Sequence, residues 1–130
     1  MSTLGDPDPE AHVRALWDAY ARGGPNAMRA LVGDDVEWRP LSSDGRRIED
    51  HELTGEWGRE HVERVSAIAH GFETRGGHVV VHGSLRTFRE GGFVDVQPSW
   101  VFFFEDRRLV RAVGYRTREE AIEAIDALSA

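Results

Sequence analysis

Two Gly-Gly pairs divide residues 72–96, which read FETRGGHVVVHGSLRTFREGGFVDV. Gly76-Gly77 separates two runs that contain aromatic or β-branched residues, and Gly91-Gly92 separates the next two. A two-residue reversal between strands needs positive φ angles, which glycine adopts without steric cost. The spacing therefore predicts an antiparallel meander of long strands from about residue 72 to residue 115.

The run from residue 93 to residue 104 would measure about 40 Å as one strand, at roughly 3.3 Å per residue. A strand of that length must bend in a small domain, and Pro98 marks the expected bend because it cannot donate to the ladder. Apolar residues occupy both of its faces, with Val101 and Phe103 on one and Trp100, Phe102 and Phe104 on the other. Both sheet faces therefore need cover, which predicts a homodimer through the sheet face. The alternative is a sheet wrapped by the chain's own helices.

Two helices are predicted before the sheet. Asp8-Pro9-Glu10 combines an N-cap residue, a proline at the first helical position and an early acidic residue. Gly23-Gly24-Pro25 ends this helix and begins a second, which Gly33-Asp34-Asp35 breaks. A short strand at residues 36–39 follows, and Pro40 stops it.

A third helix is predicted to open at Thr54-Gly55, and its apolar side is formed by Trp57, His61, Val65, Ile68 and Ala69. The capping box Thr117-Arg118-Glu119-Glu120 begins a closing helix. Together these elements predict a short flexible tail at residues 1–8 and a single α+β domain at residues 9–130. In this domain N-terminal and C-terminal helices pack a curved antiparallel sheet into a cone.

Composition limits the classes of function. The chain has 130 residues, which suits one domain, and its net charge of −7 gives no attraction to phosphate backbones, so no nucleic-acid partner is expected. It has no cysteine, which excludes disulfides, thiolate metal sites and cysteine nucleophiles. No run reaches the roughly 18 apolar residues of a membrane span, and residues 1–10 lack the pattern of a secretory signal. We therefore expect no membrane partner and a cytoplasmic location.

The order of these elements resembles the nuclear transport factor 2-like superfamily, and within it the SnoaL-like and ketosteroid-isomerase-like branch. The resemblance lies in residues 33–40, GDDVEWRP, and in residues 110–121, VRAVGYRTREEA, and it covers nearly the whole chain from about residue 9. It implies a cystatin-like α+β barrel in which the helices and the curved sheet enclose a conical, mostly apolar pocket.

The resemblance also implies that this pocket lacks the catalytic groups of the steroid isomerases. The steroid isomerases' tyrosine falls at Leu16 here, their general-base aspartate at Arg39, and their protonated aspartate near Ser99. None of these chemical groups is kept, so steroid-type double-bond isomerisation by that mechanism is not expected. Isomerases, cyclases, dehydratases, epoxide hydrolases and non-catalytic binding domains share this scaffold, so the fold does not name the reaction. For an Asp–Arg–Asp epoxide hydrolase, the only candidate members are Asp95 and Arg39.

The residues expected to contact a ligand are aromatic or polar. Tryptophan offers a wide apolar surface and one N–H donor, which suits a planar or aromatic ligand, although core or dimer contacts are the alternative role. Arg39 would hold a carboxylate or enolate oxygen if it points inward, and is a surface charge if it points outward. The predicted ligand-binding residues are Trp17, Trp38, Arg39, His61, Gln97, Ser99 and Trp100.

His82 is the predicted proton shuttle, because an imidazole has an ordinary pKa of about 6.5; a hydrogen-bonded structural histidine is the alternative. Tyr20 or Tyr115 is predicted to donate a hydrogen bond to a ligand oxygen. No histidine–acid pair could be placed beside Ser99, so a serine nucleophile is not expected. His78 and His82 lie about 13 Å apart along one strand and cannot hold one metal ion; neither a metal nor a cofactor is expected.

The sequence thus predicts binding of a small hydrophobic molecule in an apolar conical pocket, with isomerase- or cyclase-type acid–base chemistry as an open possibility. The alternative is a non-catalytic dimeric binding or accessory module. A sizeable cavity with convergent polar groups would favour the first.

Overall fold

The computed structural model describes residues 8–33, 35–39, 65–89 and 91–128. Its elements, in chain order, are α1 (Pro9–Arg29), β1 (Glu37–Arg39), β2 (Val65–Arg75), β3 (His78–Arg89), β4 (Gly92–Val96), β5 (Ser99–Glu105), β6 (Arg108–Tyr115) and α2 (Arg118–Leu128). The predicted tail up to residue 7, and residues 54–64 of the predicted third helix, lie outside the described residues.

In this part of the chain, six strands form one sheet with the order β1-β6-β5-β3-β2, and β4 also pairs with β3. Every pair is antiparallel except β1 and β6, which run parallel. Strand β1 enters from the helices and not through a hairpin, so its direction is not tied to that of its neighbour. The α+β class with N- and C-terminal helices is confirmed. The sheet is mixed, however, and it is not closed into a barrel, since β1 and β2 are its edges among the described strands.

The turns of the meander lie where the glycine spacing predicts them. Gly76 and Gly77 have φ angles of 59° and 83°, and those of Gly91 and Gly92 are 87° and 153°. The long run divides at Pro98 into β4 and β5, which pair with successive parts of β3. The predicted interruption of the run at Pro98 is thus observed, and the Pro98 backbone oxygen accepts a hydrogen bond from Gly83 N at 3.3 Å.

The predicted helix ends are also present. The carboxylate of Asp8 accepts the Ala11 N–H at 3.2 Å, and Thr117 Oγ1 accepts the Glu120 N–H at 3.1 Å. Gly24 has a non-helical backbone, with φ 79° and ψ −168°, and so divides α1 by a kink where the sequence predicts one helix to end and another to begin. None of the helices in the described ranges is long and apolar enough to cross a membrane.

The third-helix prediction is wrong for its last residues. Val65, Ile68 and Ala69 belong to β2, which pairs with β3 along nearly its whole length. Their spacing fits a helix, yet the same segment also alternates. Ala67 and Ala69 pack against the core, whereas Ile68 is 53 % exposed on the opposite face. Pairing with a neighbouring strand overrides local spacing here.

Each face of the sheet is packed by a helix. On the inner face, α1 contributes Val13, Leu16 and Trp17 to a core with Val79, Val81 and Phe102. On the outer face, α2 contributes Ala121 and Ile125 to a second core with Val80, Val101, Phe103 and Val113. The second apolar face of β5, on which the homodimer prediction depended, is therefore covered by α2. In this region the alternative, a sheet wrapped by its own helices, describes the packing.

Candidate functional site

Two tryptophans meet on the inner face of the sheet. Helix α1 places Trp17 and Tyr20 one turn apart, with ring centroids separated by 5.5 Å. The ring of Trp17 also packs against Trp100 of β5, with centroids 4.9 Å apart. Trp17 is buried, whereas Tyr20 and Trp100 are half-buried. We call Trp17, Tyr20 and Trp100 the inner-face cluster; it unites three residues that the sequence singled out.

The position of Trp100 depends on Gly83. A Cβ atom at residue 83 would lie 2.9 Å from the Trp100 ring and only 2.0 Å from the backbone oxygen of Ile68. Strand β2 bulges at this level, between Ala69 and Gly71. The absence of a side chain at Gly83 thus allows both the bulged strand and the indole ring to approach β3.

Tyr20 presents its hydroxyl at the edge of the sheet. Its oxygen accepts the backbone N–H of Ala67 at 2.9 Å. Burial raises the pKa of Tyr20, and the hydrogen bond from Ala67 opposes the effect only in part. The phenol is therefore protonated at neutral pH, and since its oxygen acts as the acceptor, its own O–H can donate.

Two buried polar atoms on the inner face have no hydrogen-bond partner within the described ranges, namely Trp17 Nε1 and Thr87 Oγ1. Trp17 is 8 % exposed and Thr87 is 7 % exposed. Side chains along β3 point alternately to the two faces of the sheet. Those of His82 and Arg86 are on the outer face, so the side chain of Thr87 is on the inner face. A buried polar group without a partner is costly and uncommon in native proteins. These two atoms therefore distinguish the inner face from an ordinary apolar core.

A second polar group of residues occupies the outer face. His82 Nδ1 lies 3.0 Å from Ser99 Oγ, and His82 Nε2 lies 3.3 Å from Glu73 Oε1. Arg118, at the start of α2, donates to the same Glu73 oxygen at 3.0 Å. The sequence placed no histidine–acid pair beside Ser99, and this is corrected. The pair comes from β2 and β3, and only the register of the sheet reveals it.

The outer-face hydrogen bonds of Glu73, His82, Ser99 and Arg118 link three strands of the sheet to the start of α2. Partial burial would raise the pKa of Glu73, but hydrogen bonds from His82 and Arg118 hold it below its usual value. Ser99 is only 2 % exposed, so its hydroxyl is not accessible as a nucleophile. Tyr115 pairs with Ser99 in the neighbouring strand and packs with the outer core. This geometry favours a hydrogen-bonded structural role for His82, and it separates His82 and Tyr115 from Tyr20 by the thickness of the sheet.

The remaining predicted residues divide between the two faces. Trp38 packs against the inner core, and the guanidinium of Arg29 lies 6.0 Å from its ring. Arg39 forms an ion pair with Glu37 on the outer face, so it does not point inward. Gln97 is exposed and accepts a hydrogen bond from Ser84 Oγ at 3.1 Å. His61 lies outside the described residues.

Other chemistry receives little support. Asp95 pairs with Arg86 at 2.8 Å and not with Arg39, so the epoxide-hydrolase set is not assembled.

A cavity of about 260 Å³ lies between the end of α1, β1 and the β5–β6 turn, with Val32, Val36 and Leu109 among its lining residues. It contains none of the predicted site residues. Within the described part of the chain, no cluster of three or more histidine, aspartate or glutamate residues could hold a metal ion.

Comparisons with known proteins give structural neighbours only. No protein-family model matches the chain, and no curated protein matches it. An NTF2-like protein of unknown function from Burkholderia pseudomallei K96243 is 20 % identical, with a TM-score of 0.61 over 92 % of this chain and 98 % of that chain. An NTF2-like protein from Burkholderia thailandensis E264 is 16 % identical, with a TM-score of 0.65 over 92 % and 98 %. TerC, co-crystallised with polyporic acid, is 17 % identical, with a TM-score of 0.61 over 92 % and 99 %.

Proposed function

We infer that this chain, which has the fold of NTF2-like proteins, binds a small, largely apolar molecule at the inner face of its sheet. The observation that carries the inference is the inner-face cluster. Two indole rings form adjoining walls, and the Tyr20 hydroxyl lies beside them. Ligand sites commonly combine apolar and aromatic walls with a few polar groups that fix orientation.

The accessible surface of this cluster supports the inference. Trp100 of the cluster is half-buried, as is Trp38, which packs against the same inner core outside the cluster, so part of each ring remains available for contact. The structural neighbour TerC was crystallised with polyporic acid, which supports a small organic ligand for a chain of this fold. A planar or aromatic ligand would gain the most from such walls.

Acid–base chemistry at the inner face would depend on Tyr20. Its protonated hydroxyl would donate to a carbonyl or enolate oxygen of the ligand, as in isomerase- or cyclase-type reactions. The other two predicted catalytic residues, His82 and Tyr115, lie on the outer face and would take no part in this step. Binding is therefore the better-supported activity.

A thermal-shift screen against small aromatic compounds tests the proposal, because a ligand specific for the native state raises the melting temperature. Each hit is then titrated against Trp100→Leu and against Leu128→Ser, whose position is exposed at the end of α2. We expect the first variant to weaken binding about tenfold or more, since it removes an aromatic wall, and the second to bind normally. Failure of every aromatic compound to raise the melting temperature at millimolar concentration would overturn the proposal.

A second candidate function is a non-catalytic dimeric module, in which two copies meet through the outer face. Ile68, Phe88 and Phe93 are 53 %, 49 % and 54 % exposed. The two phenylalanine rings contact each other at 6.4 Å between centroids, and Arg86 lies 3.7 Å from the Phe93 ring centroid. Exposed apolar clusters of this kind mark association surfaces, and the neighbouring Arg86–Asp95 pair offers both charges to a two-fold-related copy.

Light scattering coupled to size-exclusion chromatography tests this candidate. We expect a dimer that Phe93→Asp converts to a monomer, whereas Leu31→Asp, at an exposed apolar position after α1, leaves the mass unchanged. A monomeric wild-type chain at about 100 μM, well above the Kd of a stable dimer, would refute it.

A further inference from the structure

We propose that the ligand of the inner face carries acceptor oxygens of the carbonyl type, one of which receives the N–H of Trp17 and another of which meets the hydroxyl of Thr87. The proposal rests on the proposed function and specifies the class of ligand. It starts from two polar side chains that are more than nine-tenths buried and have no partner within the described ranges.

Trp17 defines what the ligand must offer. The indole Nε1–H is a donor and never an acceptor. The two ring neighbours of Trp17 are Tyr20 and Trp100. Neither gives this N–H a hydrogen-bond acceptor in the structure. The atom that satisfies it must therefore be an acceptor brought from outside the described residues.

Thr87 supplies a second polar position on the same face. Its cross-strand partners are Val65 on β2 and Val94 on β4, so a threonine occurs where valine residues flank it on both sides. Valine has the same branched shape, and the hydroxyl therefore adds hydrogen-bonding capacity to a site that packing alone would fill with an apolar residue.

Tyr20 supplies a third donor. Because its oxygen accepts the Ala67 N–H, its proton is free to point towards a ligand. The Trp17 N–H, the Tyr20 O–H and the Thr87 hydroxyl lie on the same face as the aromatic walls. This set matches a planar ligand with carbonyl oxygens better than an ammonium ion or a plain hydrocarbon. A bridging water is the competing occupant, since buried waters satisfy such groups in many proteins.

A pair of matched probes separates these cases. 1,4-Naphthoquinone and 1,4-dimethylnaphthalene have similar shapes, but the first has oxygens where the second has methyl groups, and the chain has no cysteine for the quinone to alkylate. Binding is measured by ¹⁵N-edited NMR of the four tryptophan indole N–H signals, with Trp17→Phe used to assign the Trp17 signal. We expect the quinone to bind roughly 3- to 10-fold more tightly per hydrogen bond gained. We also expect it to move the Trp17 signal downfield.

Thr87→Val and Thr74→Val form the matched pair of variants. Thr74 is exposed, and its hydroxyl already donates to Glu10 at 3.3 Å. We expect Thr87→Val to keep or raise the melting temperature of the free protein, because it removes an unpaired buried hydroxyl. It should also weaken quinone binding while leaving dimethylnaphthalene binding unchanged. Thr74→Val should not alter the preference between the probes.

The outcomes are distinguishable. Equal affinity for both probes, with no downfield shift of the Trp17 signal, overturns the acceptor-oxygen proposal and leaves inner-face binding intact. Failure of both probes to bind overturns this proposal, and the proposed function falls with it only if no aromatic compound in the thermal-shift screen raises the melting temperature either. A fall of several degrees in the melting temperature of ligand-free Thr87→Val shows that water or protein already satisfies the hydroxyl, and it overturns the assignment of Thr87.

Discussion

The hydroxyl oxygen of Tyr20 accepts the backbone N–H of Ala67 at 2.9 Å, although 47 residues separate the two in the chain. Strand β2 lies at an edge of the described sheet, and half of the amides of an edge strand have no partner strand to accept them. One phenol therefore satisfies an edge amide and fastens α1 to β2. The same phenol belongs to the inner-face cluster, so stability and binding share this contact.

Tyr20→Phe should lower the free energy of unfolding by about 1–2 kcal/mol, because the variant loses a hydrogen bond and leaves a part-buried amide unpaired. Urea denaturation measures the change, and hydrogen exchange locates it. The Ala67 amide should exchange faster, whereas the Gly83 amide, which bonds to the Pro98 oxygen, should not. Unchanged exchange at Ala67 would contradict the role given to the hydroxyl.

The turns were predictable from sequence because their cause is local. A positive φ angle selects glycine wherever two strands reverse, so Gly76-Gly77 and Gly91-Gly92 mark their own positions. The reversal between β5 and β6 uses Asp106 and Arg107 at φ 51° and 67°, and no glycine marks its position in the sequence. The prediction of a third helix was wrong at residues 65–69 because the spacing of their apolar residues fits both a helix and a strand. Only pairing with β3 decides between the two.

The candidate site was predictable in composition but not in arrangement. The sequence predicted Trp17, Tyr20 and Trp100 as site residues because they are aromatic, and in the structure their rings are in contact or adjacent. Alternation along β3 places His82 opposite Val81, yet which face α1 covers depends on the folded chain. Thr87 could have been noticed as a polar residue in phase with Val81. Nothing in the sequence indicated that its hydroxyl would lack a partner.

Gly83→Ala should be strongly destabilising, and Gly71→Ala provides the matched control in the neighbouring strand. The new Cβ atom at residue 83 would meet the backbone oxygen of Ile68 at 2.0 Å, whereas nothing lies within 4 Å of a Cβ atom at residue 71. We expect a loss of about 3 kcal/mol or more for the first variant, the upper range for overpacking, and less than about 1 kcal/mol for the second. Chemical denaturation of both variants measures the difference. Similar stabilities would refute the close approach of β2 to β3 at this level.

His78 should make the protein less stable as the pH falls below about 6.5. Its Nδ1 accepts the Phe104 N–H at 3.0 Å, which requires an unprotonated Nδ1. Burial lowers the pKa of His78, the charge of Arg111 lowers it further, and Glu105 opposes this in part. The unfolded chain therefore binds a proton at a higher pH than the folded chain does. Stability falls from the ordinary pKa near 6.5 down to the lowered folded value.

His78→Gln removes this titration and can keep an acceptor near the Phe104 N–H. Denaturation midpoints at pH 7.5, 6.5 and 5.5 should fall more steeply for the wild type than for the variant. Parallel pH dependence in the two proteins would show that His78 does not titrate differently in the folded and unfolded states.

Glu73 should stabilise the protein in its charged form, because its partners favour that form, whereas His78 stabilises it in its neutral form. Hydrogen bonds from His82 and Arg118 outweigh partial burial and hold its folded pKa below the ordinary 4.5. The contribution is present above the unfolded pKa and is lost as the pH falls through the folded value. The Glu73 side chain is 32 % exposed, so solvent screening limits the effect to no more than about 1 kcal/mol.

Glu73→Gln tests this contribution, with Glu123→Gln at an exposed position of α2 as the control. At pH 7 the first variant should be less stable than the wild type, because Arg118 and His82 lose their charged acceptor and the start of α2 loses its connection to β2. Since the wild-type carboxylate becomes protonated in acid, the two proteins should converge in stability as the pH falls below 4.5 and through the lowered folded pKa of Glu73. The control should match the wild type throughout. A stability difference for Glu73→Gln that persists unchanged from pH 7 to pH 3 would show that packing, and not charge, holds this junction together.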